Sequence, residues 1–135
     1  MKYVLDTNAV SALMKGEPNV VNRLESVSRA AVVVPQPVFS EIAYGIERLP
    51  RSKRKDALRA RFEILRAELS SLDWSDAVTD AFGRIKAVLE KRGRRIEDFD
   101  AAIAAHASAH HAILVSANTD DMMRVPSLVV EDWSR

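Results

Sequence analysis

The sequence contains no cysteine, which excludes disulfides and thiolate metal sites and fits a reducing compartment. Neither sign of charge dominates. With 20 Lys and Arg against 19 Asp and Glu, the formal net charge is +1, so attraction to a polyanion has to come from local clustering. No apolar run approaches the roughly 20 residues a membrane helix requires, so no membrane association is expected. Met1-Lys2-Tyr3-Val4-Leu5 runs straight into a candidate strand and leaves no room for a signal peptide, from which a cytoplasmic location is expected. Internal repeats, low-complexity tracts and long linkers are missing too, and 135 residues with 47% hydrophobic content suit one domain spanning 1–135.

What is present is alternation. Short apolar runs at Lys2 to Leu5, Ala31 to Val34, Ala112 to Val115 and Leu128 to Val130 read as strands. Between them, Leu58, Phe62, Leu65 and Leu69, then Val78, Phe82, Ile85 and Leu89, recur at helical spacing. Pro35 and Pro37 open a further helix carrying Val38, Ile42, Ile46 and Leu49, which Pro50 stops. A last helix starts near Asp98, and its many alanines permit a close approach to a sheet. The expected fold class is α/β, with a central, mostly parallel sheet flanked by helices in three layers.

In such sheets ligands bind beyond the carboxyl ends of the strands, where loops diverge and helix N-termini point their free N–H groups. "YVLDTNAV" puts Asp6 at such an end, directly after a strand expected to be buried on both faces; capping the next helix would explain it alone. Glu41 lies beside the apolar stripe of its helix, and the right-handed connection carries it over the same edge. Asp98 and Asp100 both open the alanine-rich helix beside Phe99 and Ile103, which are expected to face the core; capping accounts for one of the two acids. Asn118, Asp120 and Asp121 follow a third strand end. Carboxylates brought together there would repel by several kcal/mol unless a cation compensates them. Oxygen donors without cysteine or an ordered histidine set favour Mg²⁺ or Mn²⁺ over zinc, and such an ion suits phosphate-ester chemistry.

"YVLDTNAVSALMKG", "VVVPQPVFSEIAYGIERL", "RRIEDFDAAIAAHA" and "ILVSANTDDMMRVPSLVVEDW", in that order and over nearly the whole chain, resemble the PIN-domain ribonucleases, specifically the VapC-type toxins of bacterial toxin-antitoxin pairs. The resemblance implies a PIN-like fold and Mg²⁺- or Mn²⁺-dependent endonucleolytic cleavage of RNA. It matches the family's acids to Asp6, Glu41 and Asp100, with Asp6 and Asp100 as direct ligands and Glu41 as a ligand or as the group that orients or deprotonates the attacking water. Asp98 is left as an accessory or capping residue. Where family members often carry a fourth Asp this chain has Asn118, which would bind through its amide oxygen or through water, unless Asp120 or Asp121 substitutes. Thr7 and Asn8 could hydrogen-bond the ion's waters or a phosphate. A VapB-type antitoxin that covers the site and a homodimer are also implied.

Basic residues cluster at Arg48, Arg51, Lys53, Arg54, Lys55, Arg59 and Arg61, with pairs such as Asp56 to Arg59 expected on a solvated face. A second cluster, Arg84 to Arg95, includes Arg92, Arg94 and Arg95, which lead into the Asp98 helix and are the expected RNA contacts. His106 and His110 have zinc-pair spacing without the glutamate of H-E-x-x-H, so two hydrogen-bonded, partly buried histidines are expected. Trp74 and Trp133 read as core or edge packing. Two other functions compete: a phosphatase forming an aspartyl phosphate on Asp6, which would want an acid where Asn8 stands, and a catalytically silent module that binds RNA or protein.

Overall fold

The computed structural model describes residues 2–135. Its five strands lie in the order β3-β2-β1-β4-β5, with β1 Tyr3–Leu5, β2 Val32–Pro35, β3 Ser70–Leu72, β4 Ile113–Val115 and β5 Val129–Glu131. Every pairing is parallel: Tyr3 stands opposite Val32 on one side and Ile113 on the other, Val33 opposite Ser70, and Ile113 opposite Val129. The expectation of a mostly parallel sheet is thus met in full. β2 and β4 are buried at every residue, which requires cover on both faces and makes the sheet the middle of three layers.

Seven helices provide that cover among the described residues: α1 Thr7–Lys15, α2 Pro18–Ser26, α3 Gln36–Glu47, α4 Lys53–Glu68, α5 Asp76–Lys91, α6 Asp98–Ala109 and α7 Thr119–Met122. α6 is the central one. Its Ala101 to Ala107 run is buried all round, because methyl-sized side chains let it lie against α5, α3 and the sheet together. On α4 only Phe62 is fully buried, its ring edge-on to Phe39 of α3 at 5.9 Å; cutting it to alanine would cost about 3–5 kcal/mol.

Winding begins at β1, moves outward through β2 to β3, and returns to β4 on the other side of β1. The loops after β1 and β4 therefore part company, and the crevice between them is where such a sheet binds ligands. Periodicity did not reveal β3, a polar edge strand, nor α2 and α7, which are short.

Candidate active site

Asp6 stands at the head of that crevice, only 4% exposed. Its backbone N–H donates to Val115 O across the β1–β4 gap at 3.1 Å, and its Oδ1 accepts the Ala9 N–H at 2.8 Å. Capping and a place in the site are therefore compatible. Burial lifts the Asp6 carboxyl above its ordinary pKa and the charge of Glu41 adds to this, against hydrogen bonds from the Ser116 hydroxyl and the Ala9 and Asn8 amides.

Glu41, half-buried on α3, accepts the Thr7 hydroxyl at 2.5 Å. Asp100, in the first turn of α6, is pushed up to about 6, first by burial and then by the charges of Glu41, Asp6, Asp121 and Glu97. Acids from the N-cap of α1 and from α3, α6 and α7 thus share one electrostatic field. Among the described residues, though, no three acids or histidines stand close enough to form a ready cage for an ion. Asp6 and Glu41 each hold a hydrogen-bond partner of their own.

Asn118 gives its backbone N–H to Ser116 Oγ at 3.0 Å and its Nδ2 to Asp121 Oδ2 at 3.1 Å. Asp121 also pairs with Arg124 at 3.3 Å, while Asp120 is exposed. Asp98 is directed elsewhere. It pairs with Lys86 on the surface at 3.0 Å and makes no side-chain cap, which overturns the capping expectation. Thr7 and Asn8 part as well: Thr7 turns to Glu41, whereas Asn8 is exposed and lines a separate groove. Ser116, whose Oγ holds the Asn118 turn and whose hydroxyl lowers the Asp6 pKa, is a residue the sequence reading does not single out. A hydroxyl directly after β4 was its only signal.

Arg92, Arg94 and Arg95 are exposed, and Arg95 lines a cavity together with Asp121. Much of the other basic cluster serves the fold instead. Lys55 binds the carbonyls of Glu47 and Leu49 at the end of α3, Arg61 reaches Met14 O, and Arg59 pairs with Glu47 and Glu63 rather than with Asp56. Phe99 corrects its expectation: it is 48% exposed, because the face it shares with Ile103 and His106 runs out of neighbours in the first turn of α6. His106 is fully buried, gives its Nδ1 proton to Ala102 O at 2.8 Å and leaves Nε2 without a partner. Trp133 belongs to the core and Trp74 to its edge.

The PIN domain family model matches residues 3–128. Ribonuclease VapC2 of Rickettsia felis is 32% identical over the full length of both chains. The chain belongs to the PIN-domain family, in its VapC branch. A further VapC relative, the tRNA(fMet)-specific endonuclease of Shigella flexneri, is 31% identical over 99% of each chain. The crystal structure of VapBC2 from Rickettsia felis, bound to a DNA fragment from its promoter, superimposes with a TM-score of 0.89 at 30% identity over 98% of this chain and 99% of that one. No helix among the described residues is long and apolar enough to cross a membrane.

Proposed function

We propose that this PIN domain, read as a single unit over 1–135, is a divalent-cation-dependent endoribonuclease toxin that a VapB-type antitoxin neutralises. The observation that carries the reading is the mutual charge repulsion of Asp6, Glu41 and Asp100 at the β1–β4 crevice. Like charges gathered in a half-buried rim fit a cation, and an all-oxygen donor set fits Mg²⁺ or Mn²⁺. Asp6, Asp100 and Glu41 would hold it, with Asp121 as the fourth acid and Asn118 positioning that acid. When bound, the ion supplies Lewis-acid polarisation of the scissile phosphate and of the attacking water.

The chain's own groups do the rest. The Ala9 amide fixes the Asp6 carboxylate. Thr7 holds Glu41 where it can orient the water and take its proton. Arg92, Arg94 and Arg95 steer the RNA backbone toward an acidic rim that would otherwise repel it. Beside Thr7 and Glu41 runs a largely apolar groove lined by Met14, Ile42, Ile46, Leu49 and Leu58, a fitting seat for an antitoxin segment laid over the carboxylates. A homodimer belongs to the same reading, as does action in the cytoplasm, where RNA and antitoxin are found.

The deciding experiment incubates purified protein with total cellular RNA, with Mg²⁺ or with chelator, and maps new 5′ ends. Discrete cuts that need the ion and vanish in Asp6→Asn and Asp100→Asn, both still folded, support the assignment. Cation-independent cutting, or cutting retained in both variants, ends it.

A further inference from the structure

Helix α1 separates two grooves, and only the apolar one faces Glu41. The other, a cavity of about 250 Å³, lies between α1 and the C-terminal segment. Its floor is Val20, Val115 and Trp133, and its rim carries Asn8, Lys15 and Ser116. Its lining also includes Ala9, whose N–H donates to Asp6 Oδ1 at 2.8 Å, so this cavity shares a wall with the acidic crevice. We infer that the cavity is a nucleoside subsite, which seats one unpaired RNA base beside the phosphate to be cut.

Four features favour that occupant. The volume falls just below the roughly 300 Å³ at which pockets for drug-sized ligands begin, which leaves room for about one nucleoside. An apolar floor under a polar rim suits a base, whose faces are apolar and whose edges carry donors and acceptors. Asn8 presents an amide able to match such an edge two residues from Asp6. Lys15, seven residues and roughly 10 Å further along α1, is placed for the next phosphate. Two acids also line the cavity, and neither prevents this. Asp132 is already engaged by Ser134 and Arg135, and Glu17 is an exposed neighbour of Lys15 beyond the end of α1. The second groove shares Ser11 and Lys15 with this one, but Met14, Ile42, Ile46, Leu49 and Leu58 give it the more apolar lining, which is matched to an apolar helix face.

The inference rests on the nuclease reading, so its test measures binding apart from cleavage. In an Asp100→Asn background, fluorescein-labelled single-stranded oligoribonucleotides of mixed sequence are titrated and followed by anisotropy. Asn8→Ala and Lys15→Ala should each weaken binding about 3- to 10-fold, and Lys15→Ala should lower the salt slope by about one. Lys86→Ala, which removes a cation paired to Asp98 on the surface, should change neither quantity. Binding by Asn8→Ala and Lys15→Ala equal to that of the background protein overturns the subsite alone. A background protein that binds no RNA overturns the nuclease reading and the subsite with it.

Discussion

The Thr7 hydroxyl donates to Glu41 Oε1 at 2.5 Å, tying the first turn of α1 to α3 across 34 residues of chain. A hydrogen bond to a charged acceptor contributes about 1.5–3 kcal/mol, and here it also fixes where the carboxylate points. Thr7→Val removes the donor at nearly constant volume. Its kcat/KM for RNA cleavage should fall about 10- to 100-fold, with Thr7→Ser close to the parent. Equal rates in parent and Thr7→Val would show that Glu41 needs no such tether.

The Asp100 pKa of about 6 gives stability a defined pH dependence. Its carboxyl ionises less readily in the folded chain than at the unfolded value of 3.8, so between those limits the native state holds more protons. That contribution is complete below the unfolded value and is lost as pH rises through about 6. Without added cation, Asp100→Asn should melt above the parent at pH 7.5, and the difference should vanish near pH 4. Mg²⁺ or Mn²⁺ should raise the parent's Tm at neutral pH and leave that of Asp100→Asn unmoved, as differential scanning fluorimetry can read. Cleavage should climb through the same pH window.

How much of this was legible in the sequence depended on whether a signal was local. Asp6, Glu41 and Asp100 could be proposed together because each stands at a fixed offset from a strand or at a helix start, and parallel topology brings such ends to one edge. Phe99 departs from its expected burial because helical periodicity says which face a residue occupies, not where along the helix its neighbours end; Asp98 does not cap because the cap position falls on Glu97. Ser116 has no such signal because its role is to accept the Asn118 N–H in the turn after β4, and one hydroxyl in a turn carries no pattern. β3 was missed because Ser70-Ser71-Leu72 lies on the sheet edge, where burial imposes little on composition.

Asn118 Nδ2 donates to Asp121 Oδ2 at 3.1 Å. Asn118→Asp would replace that attraction with two carboxylates in contact. In the absence of a cation this should cost about 1 kcal/mol or more, a Tm loss of a few degrees, and saturating Mn²⁺ should reduce the loss. Asp121→Asn should lower cleavage by about tenfold or more, since it removes a charge that Asp100 feels. If Asp121→Asn cuts as fast as the parent, the fourth acid lies elsewhere.

Gly45 lies one turn beyond Glu41 in the apolar groove, and a Cβ built there meets nothing within 4 Å. The position therefore offers a way to probe neutralisation. Gly45→Ala removes a flexible residue from inside a helix and should stabilise the fold by about 0.5–1 kcal/mol. Gly45→Trp projects a large side chain into the groove that the antitoxin is proposed to fill. Its RNA cleavage should stay within about twofold of the parent, while its affinity for a VapB-type antitoxin falls by at least about tenfold through lost packing area. In cells, that variant should remain toxic when the antitoxin is co-expressed. Normal rescue of growth together with unchanged affinity would mean that the antitoxin approaches the acidic crevice from another side.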